Sequence, residues 1–466
     1  MNDDELNEET ILRFENMLKT NKILFFDSEE FEDLILHYLD SGKLNLSKKA
    51  LKLALEQHPN SIGIKLVHSE VLIFENKFEK AIVLLNELEQ LDPENEDIYF
   101  HKSMIYSKQG DHKASIRMLE KAFLYAEDHS EVYMLIGLEY LFLEDFDKAL
   151  YYFKMCLKHN PHDHSALLNI IYCFEINDRY TDAIQYLESF LDDNPYNELA
   201  WQQLGKQFYA TKDYESAVNA FDMAIVVDEY FSGAYIEKGK ALEKCNRYQE
   251  AIINYKELMK IEESSAFVFA RIGYCYDKSN EYKYALYYYL KAVHEDPLYE
   301  RTWIYITDLY IRHDKFTKAL HFINKALSID EQNYTYWRRF AIINKELKFW
   351  DDAELGFRKA VEFGDKFKET YLLWTEVLIE LKEEKIALTH LKTAFSLYPD
   401  SPTICFRLAG LYFLINQPVN GMIFLKKALD MDTNKYIEIA LHFPEVWKLG
   451  YIKRFVNQYN NDNQLN

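Results

Sequence analysis

The chain has 466 residues, of which 48% are hydrophobic and 28% are charged, and this composition excludes an intrinsically disordered protein. It contains only 13 glycines and 9 prolines, too few for the many turns of a β-sandwich, a barrel or a dinucleotide-binding sheet, so an all-α fold is predicted. The formal net charge of −22 disfavours binding to nucleic acid or to anionic membranes.

The chain begins with an acidic segment, residues 1–27, in which residues 5–19 have the spacing of one capping helix. This segment has neither the positive nor the apolar region of a secretion signal, and no apolar run in the chain is long enough to cross a membrane. The five cysteines are odd in number and include no CxxC pair, which favours a reducing compartment. We therefore expect a cytoplasmic protein.

A repeat of 34 residues occupies residues 28–435. Six of the nine prolines share one phase of this repeat, namely Pro59, Pro93, Pro161, Pro195, Pro297 and Pro399. Twelve periods succeed one another without a gap, starting at residues 28, 62, 96 and so on to 402, and positions are numbered 1–34 within each period. Position 20 is small in every period, position 27 is mostly alanine, position 4 is mostly aromatic and position 8 is glycine in four periods.

Each period contains two apolar stripes with spacings of three and four residues, which predicts two amphipathic helices joined by a short polar turn. Small side chains at positions 8, 20 and 27 let the helices approach closely, and aromatic side chains at positions 4, 17 and 24 fill the remaining space. The proline near position 32 ends the second helix because it has no N–H to donate. One such pair cannot bury its apolar face alone, so a stack of pairs is predicted.

This pattern resembles the tetratricopeptide repeat, W-x2-L-G-x2-Y followed by A-x3-F, A and P over 34 residues. The sixth period matches it at Trp201, Leu204, Gly205, Phe208, Tyr214, Ala217, Phe221 and Ala224. The resemblance covers residues 28–435 and implies a right-handed α-solenoid, a superhelix of stacked antiparallel helix pairs whose first helices line a concave groove. Such proteins bind peptides or scaffold assemblies. Residues 436–466 are expected to form capping helices split near Pro444 and a frayed tail.

The sequence carries none of the motifs of nucleotide-binding loops, serine hydrolases, zinc proteases or calcium-binding loops. Because the repeats also leave no region of domain size for a catalytic fold, we expect a protein that is not an enzyme and binds no cofactor. The best metal-ligating candidate is the group His159, His162 and His164, which could bind zinc or nickel. These residues occupy turn positions without a fixed helical spacing, so we interpret them as polar turn residues and expect no metal.

The cysteines are also candidates for chemistry, since a thiol near histidine and aspartate can be a nucleophile. Four of them occupy helix positions, where cysteine acts as a small hydrophobic residue, and they are Cys156, Cys173, Cys275 and Cys405. Only Cys245, near the end of a first helix, is expected to be partly exposed. The sequence therefore predicts structural thiols.

The candidate binding surface is the stripe formed by positions 2, 5, 9 and 12 of each first helix, with positions 6 and 13 beside it. In periods six to ten it carries a basic-aromatic set, namely Lys206, Tyr209, Lys240, Arg271, Tyr274, Arg301, Tyr305, Arg338, Arg339 and Lys345. Guanidinium groups can clamp carboxylates, so an acidic peptide is one predicted ligand. The alternative is a solvated face with ion pairs between repeats, such as Arg271 with Asp308 or Glu237. No three consecutive periods reproduce the carboxylate clamp of the chaperone-binding branch of the family.

In periods two to five the same stripe is apolar. Its members are Leu66, Phe100, Met104, Met134, Leu138 and Tyr172, with Ile73 and Leu168. An apolar inner stripe is typical of a tightly wound superhelix or of a surface that binds a partner helix.

The leading hypothesis is a cytosolic scaffold that binds protein or peptide partners in the groove, using apolar contacts in periods two to five and basic-aromatic contacts in periods six to ten. The alternative is a structural subunit that assembles through self-association or through its end caps. A third class, an RNA-binding helical repeat, is disfavoured by the net charge.

Overall fold

The computed structural model describes residues 3–20, 23–263 and 265–464. All regular structure in this described part is helical, and the sequence-predicted all-α solenoid of tandem helix pairs is confirmed. The chain forms two compact units, Met1–Ala234 and Tyr235–Asn466. The boundary between them falls inside one helix, α14 (Ser232–Lys244).

Unit 1 begins with α1 (Asp3–Thr20) and then contains six periods. The first helices of these periods are α2 (Ser28–Asp40), α4 (Ile62–Phe74), α6 (Glu96–Lys108), α8 (His129–Phe142), α10 (His164–Glu175) and α12 (Glu198–Ala210). The second helices are α3 (Leu44–Gln57), α5 (Phe78–Leu91), α7 (His112–Ala122), α9 (Phe146–His159), α11 (Tyr180–Asp193) and α13 (Tyr214–Val227). Helix α1 packs through Phe14, whose ring lies 6.0 Å from the ring of Phe26 and 5.9 Å from that of Tyr38.

In unit 2 the second helices are α15 (Tyr248–Ile261), α17 (Tyr282–Glu295), α19 (Phe316–Ile329), α21 (Trp350–Glu362), α23 (Glu384–Leu397) and α25 (Pro418–Met431). The first helices that alternate with them are α16 (Ala266–Lys278), α18 (Glu300–Arg312), α20 (Tyr334–Glu346), α22 (Lys368–Glu380) and α24 (Pro402–Leu414). A short 3-10 helix (Thr433–Tyr436) then leads to α26 (Ile437–His442), α27 (Pro444–Trp447) and α28 (Gly450–Gln464). The predicted frayed tail is thus helical as far as Gln464, and residues 465–466 lie outside the described part.

The turn between the two helices of a period has one recurrent feature. In all twelve periods of the described chain the residue at position 15 is in the left-handed region, with φ between 53° and 77°. Glycine occupies this position only at Gly42 and Gly110, and the other periods use asparagine, aspartate, lysine or glutamate. Because the left-handed residue reverses the chain at the end of the first helix, the second helix can pack antiparallel to it.

In the four periods with glycine at position 8, the core includes a close contact between position 8 and position 24. A Cβ atom added to Gly137 would lie 2.5 Å from the ring of Phe153, and one added to Gly205 would lie 2.5 Å from the ring of Phe221. Both phenylalanines are fully buried. Glycine at position 8 therefore allows an aromatic ring to rest directly on the backbone of the first helix, as the sequence predicted for its small residues.

Candidate functional site

Three of the seven cations of the predicted basic-aromatic set form ion pairs with a neighbouring repeat. Arg339 donates to both carboxylate oxygens of Asp308, at 2.7 and 3.0 Å. Arg271 forms an ion pair with Glu243 and also approaches the hydroxyl of Tyr305 at 3.5 Å. The partners predicted for Arg271, namely Asp308 and Glu237, were therefore wrong, although the prediction of pairing between repeats holds for this residue.

The ion pairs of Arg271 and Arg339 follow from the direction in which the side chain at position 6 points. At this position Asn169, Arg271 and Arg339 each contact the first helix of the preceding period; the Asn169 amide nitrogen, for example, lies 3.7 Å from the sulfur of Met134. Position 6 is thus a junction between consecutive first helices. Its arginines neutralise acids of the preceding repeat.

Other members of the basic-aromatic set are also paired within their unit. Arg338 approaches Asp365 at 3.4 Å and lies over the ring of Phe367. The remaining ion pairs are Lys345 with Glu376 at 3.0 Å and Lys240 with Glu237 at 2.8 Å. Lys206 and Arg301 show no ion pair within the described residues, and only Arg301 of these two is exposed.

The tyrosines of the set pack against other rings. Tyr209 lies edge-on to Tyr214 at 5.2 Å, and Tyr274 lies 5.9 Å from Tyr305. Burial raises the pKa of Tyr274, so its hydroxyl stays protonated at neutral pH. These side chains support the first helices, and only part of each ring faces solvent.

The predicted apolar set divides into buried and accessible members. Leu66 is 7% exposed and Ile73 is 1% exposed; both belong to a core cluster with Ile98 and Ile105 of the next period, so their assignment to an open groove was wrong. Met104 and Tyr172 are 41% and 48% exposed. The half-buried members are Phe100, Met134 and Leu138. The accessible apolar surface therefore begins at the third period.

One feature of unit 1 was not predicted from the sequence. A cavity of about 570 Å³ opens between the second helices α11 and α13, above α12. It is lined by Leu191, Pro195, Trp201, Leu204, Phe208 and Ala220. The sequence signal is the small side chain of Ala220 at position 23, where many other periods carry an aromatic residue.

A buried charge cluster joins α22, α24 and α26 in unit 2. Arg407 is 4% exposed and donates to Glu376 at 3.0 Å and to Glu438 at 3.1 Å, and His442 lies against it. Burial, together with the charge of Arg407, lowers the pKa of His442 below 6.5. Burial opposes ionisation of Glu376, but the hydrogen bond from Lys345 and the charge of Arg407 outweigh it, so the pKa of Glu376 is lowered.

These shifts predict that the C-terminal helices lose stability in mild acid. A histidine whose folded pKa is depressed contributes stability above its unfolded pKa of 6.5, and this stability is lost as the pH falls through that value because the unfolded chain binds the extra proton. The loss of the Glu376 contribution comes below its unfolded pKa of 4.5. Thermal melts between about pH 7 and about pH 5 should show a drop that is smaller in His442→Gln than in the wild type. Equal drops in the two proteins would contradict the assignment to His442.

Most of the cysteines are buried, as the sequence predicted. Cys156, Cys173, Cys275 and Cys405 are buried, and Cys245 is half-buried. Burial raises the pKa of Cys156 and of Cys173 to about 11, so both thiols stay protonated at neutral pH. Within the described residues no group of three His, Cys, Asp or Glu side chains could hold a metal ion, and no helix is long and apolar enough to span a membrane.

Comparison with known families decides how the repeat is classified. Two tetratricopeptide repeat models match residues 72–138 and 134–198, which lie within the helix pairs of unit 1. The chain contains tetratricopeptide repeats. A model described as ChAPs (Chs5p-Arf1p-binding proteins) matches residues 242–355. Tetratricopeptide repeats are protein–protein interaction modules, which supports the general role of an interaction scaffold.

Several solved structures are similar to this chain. The anaphase-promoting complex hetero-tetramer Cut9–Hcn1 is 12% identical, with 91% of this chain and 94% of that chain covered and a TM-score of 0.38. PilF of Pseudomonas aeruginosa is 17% identical over 44% of this chain and 93% of that chain, with a TM-score of 0.38. YrrB, described as a repeat protein with an unusual peptide-binding site, is 15% identical over 38% and 92% of the two chains, with a TM-score of 0.32. The comparison with curated protein sequences gives no match.

Proposed function

We propose that this protein is a non-catalytic scaffold that binds a polypeptide partner on the first helices of unit 1. The observation that carries the proposal is an apolar grid at positions 5 and 9 of periods three, four and five. Its members are Phe100, Met104, Met134, Leu138, Leu168 and Tyr172. Three of them are 41–48% exposed, namely Met104, Leu168 and Tyr172.

The rows of the grid adjoin one another. The contact of Asn169 with Met134 bridges α10 and α8, so the apolar side chains of consecutive first helices form one surface. Apolar side chains that are exposed side by side are typical of a surface that a partner segment covers. A partner with alternating or helical apolar residues would bury this grid.

The basic-aromatic set contributes less to binding than the sequence suggests. An acidic partner would have to displace Glu243 from Arg271 and Asp308 from Arg339, and each exchange trades one carboxylate for another. We place the partner's main contacts on the grid for this reason. We place the protein in the cytoplasm, where its five free cysteines would stay reduced.

The test is charge substitution within the grid. The double variant Leu168→Glu and Tyr172→Glu should lower the recovery of native partners about tenfold or more, because a central apolar contact is replaced by two charges that must lose their hydration. Partner recovery is measured by affinity purification from the native cell with quantitative mass spectrometry. Both side chains are about half exposed, so the fold should be retained.

The matched control carries the same two charges on second helices. Val83 and Tyr151 are 58% and 59% exposed, and their replacement by glutamate should leave partner recovery unchanged. Equal recovery with the grid variant and this control would contradict the proposal. Light scattering over a dilution series tests the rival role in self-assembly through edges or end caps, which predicts a mass that rises with concentration equally in the wild type and in the grid variant.

A further inference from the structure

An aromatic pair, stacked in four cases and tilted in one, recurs between the two helices of five periods. A ring at position 23 of the second helix lies on a ring at position 11 of the first helix. The pairs, with the distances between ring centroids, are Tyr140–Tyr152 (5.5 Å), Phe174–Tyr186 (6.2 Å), Tyr276–Tyr288 (5.5 Å), Tyr310–Phe322 (5.4 Å) and Tyr412–Phe424 (5.5 Å). The pair is therefore a structural element of the repeat.

Each of these five pairs is covered by a lysine. In two periods the lysine comes from position 19 of the same period, with Lys148 lying 5.0 Å from Tyr140 and Lys318 lying 5.8 Å from Tyr310. In the other three it comes from position 25 of the preceding period. These contacts are Lys154 with Tyr186 (4.5 Å), Lys256 with Tyr276 (5.5 Å) and Lys392 with Tyr412 (5.6 Å). The complete module is two rings and one ammonium group, which attract one another.

The sixth period contains only one part of this module. Phe208 supplies the ring at position 11, but Ala220 occupies position 23, and the cavity of about 570 Å³ lies where the second ring would stand. Both lysine positions are changed as well, to Ser216 at position 19 and Glu188 at position 25 of the preceding period. Phe208 shows no ring contact and no cation over its face within the described residues.

The walls of the cavity suit a flat ring. In three other periods the ring at position 23 also contacts an aromatic ring at position 4, and these contacts are Tyr133–Tyr152, Phe269–Tyr288 and Trp303–Phe322. In the sixth period Trp201 occupies position 4, and its indole N–H donates to the carbonyl of Pro195 at 2.9 Å, which fixes the indole in place. A ring that entered the cavity would lie between Trp201 and Phe208.

The rim of this cavity is acidic, whereas the rim of the adjoining pocket between α9 and α11 is basic. Glu188 and Asp192 are exposed on α11 at positions 25 and 29, where α9 carries Lys154 and Lys158 around the adjoining pocket of about 390 Å³, which is lined by the ring of Tyr186. No ion pair of Glu188 or Asp192 appears in the described part of the chain. The rim therefore favours a cation from outside, at the place where five other periods supply their own lysine.

We propose that this cavity binds an aromatic side chain of a partner polypeptide that carries lysine or arginine beside it. The partner's ring replaces the missing ring at position 23, and its cation replaces the missing lysine and pairs with Glu188 and Asp192. The site is formed by α11, α12 and α13 and is separate from the apolar grid, so it is independent of the proposed function. The net charge of −22 also favours a basic partner segment.

The test uses short peptides of glycine and serine with one phenylalanine next to one arginine, added to the full chain labelled with 5-fluorotryptophan. The fluorine resonance of Trp201, assigned by its absence in Trp201→Phe, should shift on titration. A peptide with alanine in place of phenylalanine should bind about tenfold or more weakly, and one with glutamate in place of arginine should also bind more weakly. Equal binding by the peptide without a ring, or no shift of this resonance with any peptide, would overturn the proposal.

Two protein variants locate the binding. Ala220→Tyr restores the repeat's own ring, and it should abolish the Trp201 shift and raise the melting temperature. Glu188→Lys changes only an exposed side chain and should weaken binding about threefold to tenfold; this variant decides the question if Ala220→Tyr does not fold. The matched control is Glu120→Lys, which makes the same change at position 25 near Tyr152, a period that has its own ring at position 23, and it should leave binding unchanged. Equal weakening by both lysine variants would show a general charge effect and would overturn the assignment to the cavity.

Discussion

Replacing Phe153 by alanine should lower the free energy of unfolding of unit 1 by about 3–5 kcal/mol. The ring of Phe153 is fully buried on α9 and rests on the backbone of Gly137 in α8, where an added Cβ would lie 2.5 Å from it. Gly137 has no side chain that could move into the space left by the ring. The substitution therefore leaves a cavity between the two helices of the fourth period.

The measurement should track the affected helices as well as the whole chain, because repeat arrays often unfold in parts. Hydrogen exchange of α8 and α9, together with a urea titration, gives the local and the global change. Tyr151→Ala is the matched control, since this aromatic residue lies on the same helix but is 59% exposed, and it should change the free energy by about 0.5 kcal/mol or less. Similar losses of unfolding free energy in Phe153→Ala and Tyr151→Ala would show that burial at position 24 does not stabilise the core.

The fold was predictable from the sequence because one period repeats through most of the chain. The small residues at position 20 and the prolines at position 32 determine where each period starts. An error in one period would not have changed the predicted helix boundaries of the others. The left-handed turn at position 15 was not predicted, because ten of its twelve residues are not glycine. Residues such as Lys212 and Glu144 adopt this conformation since the packed helices on both sides require it.

The candidate site was less predictable, for two physical reasons. Position 6 lies beside the stripe of positions 2, 5, 9 and 12, and because adjacent residues on a helix point about 100° apart, its side chain contacts the preceding repeat. The burial of Leu66 depends on how closely α4 and α6 approach, and periodicity within one helix carries no information about that distance. The cavity beside Ala220 needed a comparison of all periods at position 23, which a search for catalytic motifs does not make.

The same position 6 contains the charge with the largest expected effect on unit 2. Arg407 is 4% exposed and is the shared partner of Glu376, Glu438 and His442. Its counterparts Arg271 and Arg339 are more accessible, with side chains 17% and 27% exposed, and each forms an ion pair with one acid of the preceding repeat. Removal of Arg407 would leave Glu438 without its arginine partner and Glu376 with Lys345 as its only lysine or arginine partner, and both carboxylates are half-buried.

The variant Arg407→Leu should therefore lower the free energy of unfolding of the C-terminal helices by about 3–5 kcal/mol. Adding Glu376→Gln to it should restore part of this loss, because the second change removes one of the two half-buried carboxylates that lose the Arg407 cation. Urea unfolding of the full chain, with hydrogen exchange of α24 and α26, measures both effects. Arg454→Leu on the exposed face of α28 is the control and should be nearly neutral. The contrary result is a double variant that is less stable than Arg407→Leu by the full free energy that Glu376→Gln costs on its own. Arg407 and Glu376 would then not be coupled, and the cluster would stabilise the helices through packing alone.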